Sequence, residues 1–154
     1  MKYTTNPKFI LIVSIVVLVI LTSCGRPVAS TSGTAKPSGP PDSVEVVYFY
    51  KSNPPPCECL AEAGENIRET VTQEFKNEIE SGKLKFLFVA SDVAQNAAIV
   101  KKYDPAPFCL GMTIVHGQSQ RIVFADEVWE YFTDKAKFKQ ALKQVITRAL
   151  EGDY

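Results

Sequence analysis

Apolar residues in this chain run together, alternate, or recur every fourth position, and each pattern predicts a different element. Val44 to Tyr50 (VEVVYFY) is β-branched and aromatic and reads as a buried strand. It stops before Pro54-Pro55-Pro56, since prolines donate no ladder hydrogen bond. From Glu58 to Ser81 the period lengthens. Ile67, Val71, Phe75 and Ile79 recur every four residues and predict one amphipathic helix, with Gly82 at its C′ position and Gly64 weakening its first turns. Lys83 to Ala90 (KLKFLFVA) reads as a second strand, apolar enough to be covered on both faces. Val93 to Tyr103 is a short helix broken by Asp104-Pro105-Ala106-Pro107. Leu110 to Val115 and Arg121 to Ala125 are strands joined through HGQSQ, a hairpin-like turn carrying Gly117. Trp129, Tyr131 and Phe132 form an aromatic cluster expected in the core or at its rim. A cap near Thr133-Asp134 opens a last helix with Phe138, Leu142, Val145, Ile146 and Leu150 on one face.

The element order is β-α-β-α-β-β-α. It predicts an α/β domain with a mixed four- to five-stranded sheet and helices on both faces. The first β-α-β unit implies a parallel pair, and the later hairpin adds antiparallel strands.

The N-terminal pattern is of another kind. Lys2 and Lys8 precede an almost unbroken apolar run from Phe9 to Leu21, of signal-peptide length and short for a span, which needs about 20 apolar residues. The run ends in Leu21-Thr22-Ser23-Cys24, which resembles the bacterial lipobox, an aliphatic residue and two small ones before a cysteine that is lipidated and becomes the mature N-terminus. That resemblance implies a lipoprotein signal peptide over 1–23 and acylation of Cys24, with palmitate as an expected chain. The protein is then lipid-anchored at the extracytoplasmic face of a bacterial cell membrane. Residues 24–42 carry the lipidated cysteine and a Gly-, Ser-, Thr- and Pro-rich stretch that cannot bury enough surface to offset its ordering entropy, and so reads as a flexible linker. Residues 43–154 are the folded domain.

Charge adds little: 17 Lys and Arg balance 17 Asp and Glu, and loss of the signal leaves the chain slightly acidic. No basic patch points to nucleic acid. Gly111 and Gly117 are isolated turn glycines, so no phosphate loop is present, and no cofactor is implied. The cysteines change the picture. Beyond Cys24, three remain: Cys57, Cys59 and Cys109. An exported chain sits where disulfides persist, and an odd count points to at least one free or reactive thiol.

These residues resemble the thioredoxin-like family across most of Val44 to Leu150. That family places its redox cysteines just after the first strand, at the start of the first long helix, where Cys57 and Cys59 stand. Asp92 and Asn96 with IVKKY are similar to its segment after the second strand, and TDKAKFKQALKQVITRAL to its C-terminal helix. The chain departs from the family in spacing: Cys57-Glu58-Cys59 stands where Cys-x-x-Cys is usual. The family's cis-proline, just before its third strand, would fall near Cys109, with Pro107 two residues earlier. The resemblance implies a thioredoxin-like fold, with Cys109 close to the cysteine pair.

A thiol at a helix N-terminus feels the positive end of the dipole and ionises more readily. Cysteines two apart can bridge if their Cα atoms come within about 4.4–6.8 Å, and so small a ring is strained and easily reduced, which suits an oxidant or isomerase. On this reading the protein is a thiol–disulfide oxidoreductase acting on exported protein thiols or a redox partner. Cys57 is the nucleophile, Cys59 the resolving thiol and Cys109 an auxiliary thiol. Two other readings use the same residues. Cys57, Cys59 and Cys109 are alternative ligands for a soft metal or metalloid such as Cu(I), Zn²⁺ or an arsenic species. A structural disulfide in a non-catalytic binding module is the third. His116, the only histidine, lies at the far end of the strand after Cys109 and is not an obvious ligand. Asp92 reads as a cap of the short helix or as the family's aspartate.

Overall fold

The computed structural model describes residues 39–52 and 58–154, the side chains of Glu58 and Cys59 excepted. The signal peptide, Cys24, most of the linker and Cys57 lie outside the described residues.

The VEVVYFY run forms strand β1 (Ser43–Tyr50) at the middle of a sheet, where both of its faces are buried. Period two sends Val44, Val46 and Tyr48 into one core cluster and Val47 and Phe49 into another. Strand β2 (Leu84–Ala90) pairs parallel to β1 in the register Val44 with Leu84 through Tyr50 with Ala90. Strand β3 (Cys109–His116) pairs antiparallel to β1, with Phe49 opposite Cys109, and β4 (Ser119–Phe124) closes an antiparallel hairpin on β3. The order is β2-β1-β3-β4, a four-stranded mixed sheet. β2 is therefore an edge. Its Phe86, Leu87 and Phe88 are only half-buried and Lys85 is exposed, where the sequence suggested cover on both faces. The neighbour that would bury one flank of a central strand is missing at an edge.

The stripe of Ile67, Val71 and Phe75 is buried, but the expected single helix is two: α1 (Glu58–Glu74) and the short α2 (Lys76–Glu80). The break is at Phe75, whose backbone leaves the helical region at φ −119° and ψ 29° while its ring stays in the core. The second short helix opens as a 3-10 turn at Ala94–Asn96 and continues as α3 (Ala97–Tyr103). A left-handed Asp104, φ 47°, ends it before Pro105. Between β3 and β4 the turn is tighter than HGQSQ suggested. His116 pairs with Ser119 across two residues, with Gly117 at positive φ (57°), as the first position of such turns favours. A 3-10 stretch, Asp126–Tyr131, buries Val128 and leads to α4 (Lys135–Glu151). Asp134 caps α4 by accepting the Lys137 N–H.

α1 and α4 cover one face of the sheet. Ala63, Ile67 and Val71 pack there with Phe138, Leu142, Val145 and Ile146. The ion pairs Lys139–Glu69 and Lys143–Glu74 link the two helices at the surface. α3 covers the other face, where Tyr103, Ile99 and Val100 meet Val47, Phe49 and Phe124. Within this second layer the Tyr103 hydroxyl lies 2.6 Å from Thr113 Oγ1 and donates to Glu45, which also holds Lys85 and Lys102.

Ordered contacts begin ahead of β1. The Asp42 N–H donates to the Val115 carbonyl, and its carboxylate accepts from the Gly117 N–H. Gly39 lies against Gly152, the left-handed residue ending α4, where a Cβ would stand 2.1 Å from the Gly39 oxygen. Both described ends of the domain therefore meet at the Ser43 end of the sheet. No helix among the described residues is long and apolar enough to cross a membrane.

Candidate functional site

The opposite, Tyr50 end of β1 is where the chain leaves the sheet toward Cys57. Two side chains from beyond β2 fasten it there. The Ser91 N–H and hydroxyl both donate to the Tyr50 carbonyl, at 2.7 and 3.0 Å. Asp92 accepts from the Ser52 N–H at 2.8 Å and from the Ser52 hydroxyl at 2.7 Å. Those bonds, the backbone one foremost, hold the Asp92 carboxyl below its ordinary range, with help from the Lys51 charge. Asp92 is thus not a helix cap. The N-cap of the 3-10 turn is Val93, with no side-chain bond, and Asn96 donates to the Ala90 carbonyl at 2.8 Å. One carboxylate, forty residues away in sequence, pins the stem of the cysteine-bearing segment.

On the far side of that segment, α1 begins at Glu58, so the Cys59 backbone lies in the first helical turn, and Cys57 immediately precedes it. In that turn the backbone N–H groups have no intrahelical partner and the dipole favours negative charge.

Cys109 is the one of the three whose side chain is described. It opens β3, is 5% exposed, carries a free thiol and packs with Phe49, Val89 and Tyr103. That cluster is on the α3 face of the sheet, whereas α1 packs on the other. Burial, then the nearby Asp126 charge, pushes its thiol up to about 11. At neutral pH it is a protonated, inert thiol rather than a thiolate. His116 stands at the other end of β3, about 23 Å along the strand. Among the described residues no three His, Cys, Asp or Glu side chains gather as a metal site would require. Pro107 is trans, since no cis peptide occurs among the described residues.

A cavity of about 450 Å³ opens between the Tyr50 end of β1 and the first turns of α1. Its aromatic wall is Tyr48, Tyr50, Phe88 and Phe108, and Leu60 and Ala61 close the helix side. The rings of Tyr48 and Phe88 meet edge-on at 5.3 Å, and the Arg68 guanidinium lies 4.1 Å over Phe88. Burial pushes the Tyr48 phenol up to about 12, so it stays protonated. Ser52 also lines the space, so the cavity borders the cysteine-bearing segment on both sides.

Two of these residues have backbone reasons to be where they are. Gly64 lets α1 approach the sheet: a Cβ there would lie 3.2 Å from Tyr48 and 3.9 Å from Phe88. Phe108 is a bulky residue at positive φ (58°), a region that costs such residues about 1–3 kcal/mol. The cavity was not legible in the sequence, because its wall comes from three distant segments. The one local signal was Gly64, since an isolated glycine inside a helical pattern often marks a close approach. Comparison with known proteins finds no family model and no curated relative that matches this chain, so its reading rests on the sequence pattern and this geometry.

Proposed function

We propose that this chain is a thioredoxin-like lipoprotein, anchored through Cys24 at the extracytoplasmic face of a bacterial membrane, that exchanges disulfides with exported proteins through Cys57 and Cys59. The observation that carries the reading is the place of Cys59 in the first turn of α1, directly after the central strand of a mixed α/β sheet. The β-α-β-α-β-β-α order and helices on both faces support the family resemblance.

In the reductive direction the Cys57 thiolate attacks one sulfur of a substrate disulfide, forming a mixed disulfide and expelling one substrate thiolate. The Cys59 thiolate then attacks the Cys57 sulfur, closing the Cys57–Cys59 bond and releasing the second substrate thiolate. Two electrons pass to the substrate, and solvent protons complete its two thiols. Oxidation runs the same steps backwards. The helix start favours the attacking thiolate, while Glu58 between the cysteines opposes it. Cys109, buried and protonated, is an auxiliary thiol reached only when its cover opens.

The test is a count of alkylated thiols by mass spectrometry on the full chain across a graded glutathione series without metal. The expected result is one pair that opens and closes at mild potential and is lost in Cys57→Ser. A bond that stays closed until strongly reducing conditions means a structural disulfide. Stoichiometric Cu(I) or As(III) uptake that disappears in Cys109→Ser means a metal site instead.

A further inference from the structure

Strand β2 is a sheet edge that the described residues leave open. The hydrogen bonds at its two ends show which backbone groups are turned outward. The Lys83 carbonyl accepts from the Val44 N–H, and the Ser91 N–H donates to the Tyr50 carbonyl. The odd-numbered residues from Lys83 to Ser91 therefore turn their N–H and C=O toward β1, and the even-numbered ones turn theirs away from it. At one end that outward row is already closed, because the Ala90 carbonyl accepts from the Asn96 side chain at 2.8 Å and from the Val93 N–H. Leu84, Phe86 and Phe88 have no such partner among the described residues. Edge strands are commonly blunted by charge, proline or a bulge. β4, the other edge, opens with the exposed polar run Ser119-Gln120-Arg121. β2 carries one charge, Lys85, and the Glu45 carboxylate holds it at 3.2 Å on the α3 face. The rest of the strand is apolar. Phe86 and Phe88 meet edge-on at 5.2 Å on the α1 face, Leu87 lies on the α3 face, and all three are only half-buried.

Symmetry selects the occupant. A copy related by a twofold axis through Phe86, perpendicular to the sheet, runs antiparallel to β2. Phe86 then faces its own mate and Leu84 faces Phe88, so the outward N–H and C=O of all three are paired and the closed Ala90 carbonyl is not needed. Lys85 falls opposite Leu87 and Lys83 opposite Val89, so no two lysines meet. On the α1 side the half-buried Phe86 and Phe88 rings of the two copies cover one another. A strand of arbitrary sequence answers the backbone groups alone. A second copy also matches the side chains and charges, and has the same open edge to cover. We infer that β2 is a homodimer interface, through which two copies of this chain join antiparallel over Leu84–Phe88 into one continuous sheet. The interface does not depend on the thiol-exchange reading.

The experiment uses the full chain in mild detergent over a range of protein concentrations. Light scattering gives the mass of the particle, and hydrogen exchange reads the Phe86 and Phe88 amides. The expected result is a mass of two chains at high concentration, with both amides gaining protection as the dimer fills. Two substitutions separate the backbone from the ring. Phe86→Pro removes an outward N–H and no bond to β1, which an edge strand tolerates. Phe86→Ala removes the ring and keeps that N–H. The proline variant should associate about tenfold or more weakly than the alanine variant, since each copy loses a bond at the axis. Should either variant fail to fold, the concentration dependence of the parent amides decides alone. A monomer throughout, with both amides exchanging freely, overturns the interface. So does a dimer that leaves those amides unprotected or that is equally tight in the two variants, since another surface then holds it. Protection in a monomer that does not change with concentration assigns the edge to residues of the same chain ahead of Gly39, and overturns the second copy as occupant.

Discussion

The Asp92 carboxylate and the Cys109 thiol sit at the two margins of the pH range, and each carries a testable sign. Asp92 is held below the ordinary carboxylate range by the Ser52 N–H and hydroxyl. A depressed pKa means that the bond is at full strength above the unfolded value of about 3.9 and is lost as pH falls through the lower folded value. Hydrogen exchange of the Ser52 amide should therefore be slow and constant from neutral pH down to about 4, after allowing for intrinsic rates, and accelerate below. Asp92→Ala should remove that protection at every pH. If the amide is as protected in the variant as in the parent, the clamp is not what holds this stem. Cys109 has the opposite sign. Its folded thiol is raised from 9.0 to about 11, so the folded chain keeps a proton that the unfolded chain gives up. Stability is intact below the unfolded pKa and falls as pH rises from there toward 11. Urea midpoints at neutral and alkaline pH should show this fall, and Cys109→Ala should make it shallower. Tyr48, raised to about 12 by burial and then by the Cys109 charge, adds a later loss that the substitution lessens without abolishing.

At the scale of elements, glycine sets how closely α1 and α3 approach the sheet, at Gly64 and Gly111 respectively. A Cβ on Gly111 of β3 would stand 2.8 Å from the Tyr103 ring of α3. That ring is fixed by its hydroxyl contacts with Thr113 and Glu45 and cannot withdraw cheaply. Gly111→Ala should cost about 1–3 kcal/mol by urea denaturation, as overpacking does. Leu142, fully buried on α4, should cost about 2–5 kcal/mol when cut to alanine. Lys143→Ala, which removes only the exposed pair with Glu74, should stay within about 1 kcal/mol. If Lys143→Ala proves as damaging as Leu142→Ala, the α1–α4 contact is not held by its apolar seam. Legibility in sequence followed the same division. β1 and α4 were readable because composition and period are properties of neighbouring residues. The break at Phe75 was not, since the four-residue stripe runs through it unchanged. Nor was the edge position of β2, because LKFLFVA reads the same beside one strand as between two. Asp92 was singled out by sequence, but its partner Ser52 was not, since nothing local joins residues forty apart. The pocket wall was invisible for the same reason.

The described residues have one sheet with a core on each face and form a single compact unit. It should unfold in one cooperative step, with far-ultraviolet dichroism and the fluorescence of Trp129, packed against Tyr48 and Phe138, giving the same midpoint. Separate midpoints would mean that the α3 layer opens apart from the α1–α4 layer. The molecule also has a direction. The residues ahead of β1 join it at its Ser43 end, while the cavity opens at the Tyr50 end. Gly39 touches Gly152 at the Ser43 end, and the Gly117–Gln118 turn is exposed there too. A short bridge between the two ends, with new termini opened in that turn, would give a circular permutant that begins on β4 and ends on β3. Its strands would be renumbered, but neither the sheet nor the cavity would have a reason to notice.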